Sequence, residues 1–147
     1  MEQIIKQLDA IIIEYAIKFS SLSDEQLSFK PAGDKWSKKE IIGHLVDSAQ
    51  NNSRRFITAQ YQSKVPVFYN QNDWVIIQNY QNYDNRDLIV LWQMLNKHIC
   101  IILHNMTVEK YQYLCNTGIE KDEFYTVEFL AKDYIAHHLH HIKQIAE

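Results

Sequence analysis

The chain is poor in residues that break or staple a polypeptide. Its 147 residues include 3 Gly, 2 Pro and 2 Cys. So few breakers leave long helices uninterrupted. Cys100 and Cys115 form no metal motif and no disulfide framework, and two reduced thiols in a cytoplasmic protein are expected. No apolar run is long enough to span a bilayer. The N-terminal stretch MEQIIKQLDAIIIEY alternates charged and apolar residues at helical spacing. It lacks a basic region followed by an unbroken apolar run, so no signal peptide is evident. Positive charge is not in excess either. A net charge of −3 gives no reason to expect nucleic acid or an anionic membrane as partner.

What is present is ordinary for a globular protein: 46% hydrophobic and 22% charged residues. The length fits one domain, residues 1–147, large enough to bury a core without staples.

Apolar residues recur at three- and four-residue steps along most of the chain. Ile4, Ile5, Leu8, Ile11, Ile12, Tyr15 and Phe19 predict a helix over 2–20. Ser23 and Gln26 have the spacing of a capping box that opens a short turn. The segment SFKPAGDKW then reads as a loop. Ser37 and Glu40 form a second capping box, opening a helix over about 37–61 that carries Ile41, Ile42, Leu45, Val46, Ala49 and Phe56. KVPVFYNQNDW is expected to be irregular, because Pro66 and the Asn/Asp cluster disfavour a helix. A short helix follows around 73–80.

Asp84 or Asn85 can cap a third long helix, with Leu88, Trp92, Leu95, Ile99, Ile102 and Met106 as its buried stripe. From Thr107 to Tyr125 the pattern weakens into a connector containing Gly118. Thr126 can cap a fourth helix with Val127, Leu130, Tyr134, Ile142 and Ile145 on its apolar side. Four amphipathic helices and no convincing strand predict an all-α four-helix bundle. The two middle connections are long enough to be crossovers, and the pattern alone does not fix the topology.

The last helix carries AHHLHHIKQI, residues 136–145, with four of the seven histidines. Leu139, Ile142 and Ile145 continue the apolar stripe, so the stretch belongs to a folded helix. His137 and His141 are four apart and share a face, the spacing by which a helix offers two imidazoles to one metal ion. His138 and His141 are three apart and lie nearer the stripe's centre. Periodicity does not choose between the two pairs. His140 points further round, towards solvent or a neighbouring helix.

A third ligand must come from elsewhere. His98 and His104 read as surface or boundary residues. His44 is better placed, beside the apolar face of the second long helix on a ridge with Ser48, Asn51 and Arg55. Such a ridge could wall a pocket between helices. On pattern alone a solvated helix edge is the simpler reading of it.

Three segments together resemble a known family. WSKKEIIGHLVDSAQNNSRRF is similar to the second-helix signature of the DinB-like superfamily, with a Trp before the helix and a G-H-L/V-x-D-S segment that supplies a His. VPVFYNQNDWV resembles the P-x-Y-x-x-x-x-W stretch of its YfiT-like branch, and AHHLHHIKQI that branch's H-x-x-H-H ending. The order and spacing match over nearly the whole chain.

The resemblance implies a four-helix bundle whose pocket holds a divalent metal, zinc or nickel, on His44, His137 and His141. It implies either hydrolysis or S-transfer from a low-molecular-weight thiol such as bacillithiol to a small-molecule electrophile. Ser48, Asn52 and Arg55 are candidates to orient substrate. Tyr69, Asp73 and Trp74 are candidates for the pocket mouth, although core anchoring is the simpler role for Trp74 and Trp36. His138 departs from the branch, which tends to have a small residue there, and is a further pocket candidate.

A non-catalytic metal-binding module, acting in stress response or interaction, is the alternative reading. It rests on the absence of a general base like the Glu of H-E-x-x-H. Helical bundles often associate through an exposed helix face, so a homodimer is compatible with the sequence, which locates no interface.

Overall fold

The computed structural model describes residues 1–62 and 66–146. The first two residues of the stretch expected to be irregular, Lys64 and Val65, lie outside them. Four long helices dominate: α1 (Glu2–Ser20), α3 (Lys38–Thr58), α5 (Asn85–His104) and α6 (Val127–Ala146). Two shorter ones, α2 (Asp24–Ser28) and α4 (Gln71–Gln78), sit in the connections.

Local chemistry fixes most of the starts. Ser23 and Ser37 each close a reciprocal capping box with Gln26 and Glu40. Each box satisfies two backbone N–H groups that the first helical turn leaves unpaired. Asp84 accepts from the Asp87 amide at 2.9 Å, and Thr126 accepts from the Phe129 amide at 3.1 Å. Helix α4 begins earlier than the expected 73, because the Asn70 side chain accepts from the amides of both Asn72 and Asp73. It ends on Asn79, a left-handed residue at φ 52, a conformation Asn tolerates better than most side chains.

The bundle is a ring of four. Both α5 and α6 pack against α1 and α3. Consequently α1 and α3 face each other diagonally, as do α5 and α6. The diagonal crossings are made by the connection that carries α2 and by the one between α5 and α6. The connection between α3 and α5 joins neighbours, so only one of the two middle connections is a crossover across the bundle. Trp92, Phe19, Phe56, Leu8, Ile12, Leu45 and Leu103 fill the centre, each fully buried. Phe19 and Trp92 meet edge to face with ring centroids 5.1 Å apart.

Two findings differ from the sequence expectation. The connector after α5 contains a strand pair, β1 (Leu114–Asn116) antiparallel to β2 (Phe124–Thr126). The Asn116 side chain organises its turn. Its Oδ1 accepts from the Gly118 and Glu123 amides, and its Nδ2 donates to Asp122. A Cβ on Gly118 would stand 1.7 Å from the Lys121 carbonyl oxygen, so only glycine fits there. Three-residue strands are too short to show a period of two, which is why the pattern looked merely weak.

The second difference is α3 itself. Sixteen of its 21 residues are buried, including Ser48 and Asn51 of the polar ridge and the adjacent Asn52, and Arg55 is half-buried. The ridge is therefore not a solvated helix edge. Segment 66–80 covers it, held in part by Arg55, whose Nε donates to the Val67 carbonyl at 3.0 Å.

Candidate metal centre

His44 lies in the first half of α3, and His137 and His141 lie one turn apart in the second half of α6. These two helices pack together, so the start of one meets the end of the other. The Nε2 atoms of His44 and His137 are 3.1 Å apart. His141 completes a triangle in which each residue offers one ligand nitrogen within 4.8 Å of the other two. No Asp, Glu or Cys joins this group among the described residues.

The rings are arranged differently from one another. His141 has its Nδ1 2.9 Å from Gln144 Oε1. An Nδ1–H donated there leaves the Nε2 lone pair directed elsewhere, which is how a hydrogen-bond partner sets imidazole orientation in metal sites. The Nδ1 atoms of His44 and His137 are buried with no hydrogen-bond partner among the described residues. Packing holds His44 instead, with Trp36 tilted over it at 5.1 Å between ring centroids.

All three imidazoles are kept neutral. Burial, followed by the charges His137 and His141 would carry, pushes His44 down to about 3. Burial and then His141 and His140 take His137 to about 4. His141 is lowered too, mainly by burial, while its bond to Gln144 opposes the shift. Neutral imidazole is the form that binds metal.

The geometry also fits. Zinc–nitrogen bonds of about 2.0–2.1 Å in a tetrahedral site put two ligand nitrogens roughly 3.3 Å apart, close to what His44 and His137 present. An all-imidazole donor set suits a divalent transition ion and does not distinguish zinc from nickel.

His141 reaches a cleft of about 550 Å³, lined also by Phe29, Trp36, Lys35, Lys38, Ile41, Gln71, Asn72 and Gln144. The 29–36 loop, which the sequence pattern marks only as a connector, supplies more of this lining than any other single segment. The only signals were the two aromatic residues in that loop and the i, i+3 spacing of Gln144 from His141.

The other expected residues scatter. Ser48, one turn after His44 on α3, is buried and its hydroxyl accepts from Asn52 Nδ2 at 3.4 Å, while Tyr69 is half-buried. Asn52 donates to the Ser48 carbonyl at 2.9 Å. Arg55 is engaged by Val67 and, at 3.4 Å, by Asn52 Oδ1. The guanidinium thus serves as a clasp on the covering segment, and the crevice that Arg55 lines with Thr58, Val67 and Cys115 contains none of the histidines. Asp73 is exposed. Trp74 lies tilted against Tyr69, with ring centroids 5.2 Å apart, and lines a separate cleft with Gln50, Ile77 and Gln78. The cleft beside the histidines is lined by Trp36 and its loop and, from α4, by Gln71 and Asn72 rather than by Asp73 and Trp74.

His138 is corrected most clearly. It is fully buried, accepts from the Trp92 indole N–H at 3.1 Å and lies 4.6 Å from the Tyr134 ring. It is a core residue pointing between α5 and α6, not a wall of the cleft.

One buried group escaped the sequence reading. Asp47, three residues after His44, accepts from Tyr80 Oη at 2.6 Å and from the Gln78 amide. Burial lifts its carboxyl to about 6 against the pull of those two donors. The pair secures the α4 region to α3.

An all-α bundle with a ring-shaped helix order and a three-histidine cluster at a cleft is thus the class of protein these observations define. Residues 7–145 match the DinB superfamily, and the chain belongs to it.

Solved structures share the fold. YfiT from Bacillus subtilis, described as a probable metal-dependent hydrolase with an unusual four-helix bundle topology, aligns with a TM-score of 0.88 at 20% identity, over 99% of this chain and 83% of that one. A DinB-like protein, YjoA from Bacillus subtilis, aligns at 0.67 and 19% identity over 97% of this chain and 87% of its own. The mycothiol-dependent maleylpyruvate isomerase aligns at 0.73 and 10% identity over 96% of this chain, which spans 59% of that protein. At these identities the likeness is one of fold. No curated protein matches the chain in sequence.

Proposed function

We propose that this chain is a single-domain metal-dependent enzyme in which His44, His137 and His141 hold one divalent cation, zinc or nickel. The observation that carries the reading is the meeting of three neutral imidazole nitrogens at a cleft. Structural zinc sites are closed by four protein ligands, whereas catalytic ones keep a position open. Three ligands beside a cleft of this size match the second kind. A cation there would supply Lewis acidity, making a thiolate or a hydroxide available near neutral pH.

The chain's own residues do the rest. Gln144 orients His141. Trp36 covers His44 and shields it from water. No carboxylate joins the cluster to act as general base for water, which favours transfer of a low-molecular-weight thiol to an electrophile over hydrolysis. The mycothiol dependence of one fold relative points the same way. The same missing base also supports the second reading, a metal-binding module without turnover. A cytoplasmic location accords with two free, buried cysteines, and no helix among the described residues is long and apolar enough to cross a membrane.

The test is elemental analysis of protein purified without a His-tag or chelating resin, beside a His137→Ala/His141→Ala variant. About one divalent ion per chain, lost in the variant, is expected. Turnover of an electrophile that requires both the metal and an added thiol would then establish the transferase. No metal in either protein after zinc and nickel are offered would end the enzyme reading. Metal without turnover would favour the binding module.

A further inference from the structure

The cleft beside the histidines has two kinds of lining. Phe29, Trp36 and Ile41 supply an apolar surface, and Phe29 keeps 65% of its area exposed at the rim. Lys35 and Lys38 supply cationic ends, and neither forms an ion pair among the described residues. Asp34 is the one carboxylate in the lining. Two unpaired ammonium groups beside one carboxylate are notable in a chain whose net charge is −3. They make the cleft locally attractive to anions on a surface that otherwise repels them.

We propose that this cleft takes an organic carboxylate with a flat apolar body. The body lies against Phe29 and Trp36, and the carboxylate meets the ammonium groups of Lys35 and Lys38. The inference rests on the histidine cluster as the reacting centre, because His141 lies at the cleft and would face the ligand's reactive end. Flat aromatic walls favour a planar, π-bearing body. A free inorganic anion would leave those walls wet, and a cation would be repelled by the lysines. A neutral apolar ligand would gain nothing from them.

The test is calorimetric titration of naphthalene-2-carboxylate and naphthalene-2-carboxamide, which share a shape and differ in charge. Each is titrated into the full chain as purified and after chelation. The carboxylate is expected to bind both preparations about tenfold more tightly than the carboxamide, the scale of two partly exposed charge contacts. Lys35→Gln/Lys38→Gln should erase that preference and leave carboxamide affinity unchanged, while Trp36→Leu weakens both ligands.

Equal affinities, no binding of either ligand, or a preference that survives the lysine variant would overturn the proposal. A preference confined to the metal-loaded protein would mean the carboxylate binds the metal, and would overturn the cleft assignment while leaving the histidine reading intact. A chain that never takes up metal but keeps the charge preference would do the reverse.

Discussion

The Nε2 atoms of His44 and His137 stand 3.1 Å apart although 93 residues separate them in the chain. Two partly buried nitrogens that close, each on a ring pushed towards neutrality, form a site that gains from a cation between them. Metal should therefore stabilise the native fold by mass action. Stripping it with a chelator should lower Tm, and re-adding zinc or nickel should restore it. In His44→Ala neither treatment should move Tm by more than a degree or so, if RT ln(1 + [L]/Kd) is the source of the shift. A chelator response that survives in His44→Ala would place the metal elsewhere.

His138 serves the fold, and its replacement should separate stability from metal binding. His138→Leu keeps the volume roughly constant but leaves the Trp92 indole N–H buried without an acceptor. The expected cost is about 1–3 kcal/mol in urea denaturation. Metal content should stay at the wild-type value. Loss of metal with unchanged stability would show that His138 acts on the cluster instead.

Asp47 should make stability depend on pH in a definite direction. Its folded pKa of about 6 lies above its ordinary 3.8, so the folded state holds the proton more tightly than the unfolded chain. Its contribution is therefore most favourable below pH 4, declines as pH rises and levels off above about 6. The full span corresponds to about 3 kcal/mol. Asp47→Asn keeps an oxygen for Tyr80 and Gln78 and removes the titration. The stability difference between variant and wild type should move in the variant's favour between pH 4 and pH 7. A difference that stays flat over that range would show that the carboxyl is not penalised by burial.

Gly43 lies under the Tyr80 ring, and a Cβ there would come within 2.1 Å of it. Helix propensity alone favours Gly43→Ala by about 1 kcal/mol. The steric term should win, because Tyr80 is 1% exposed and tied to Asp47 through its hydroxyl. A net loss of about 1–3 kcal/mol is expected. In a Tyr80→Leu background the same change should become neutral or stabilising, a coupling that a double-mutant cycle measures. Additive effects would exclude the clash.

Much of this architecture was legible in the chain because it is local. Capping boxes at Ser23 and Ser37, the Asp84 and Thr126 caps, and the apolar stripes of the four long helices depend on neighbours within one or two turns. The strand pair was not legible, because its three-residue strands are stabilised by the Asn116 side chain and the contact with segment 66–67 rather than by any periodic pattern. The burial of polar residues on α3 was not legible for a related reason. Ser48, Asn51 and Asn52 find hydrogen-bond partners within their own helix, so they can be buried without looking apolar.

The sequence by itself determined that helix α6 offers imidazoles at i, i+3 and i+4, and that His44 sits at the border of an apolar stripe. Spacing left the pairs His137/His141 and His138/His141 open, and only resemblance favoured the first. Tertiary structure decided how those rings are divided. The direction in which α6 packs between α1 and α3 turns His137 and His141 towards His44, and rotates His138 by one residue's turn into the core against Trp92. The same packing set the 29–36 loop beside His141 and made a cleft there. Orientation about a helix axis is fixed by all the neighbours at once, and no stretch of one helix carries that information.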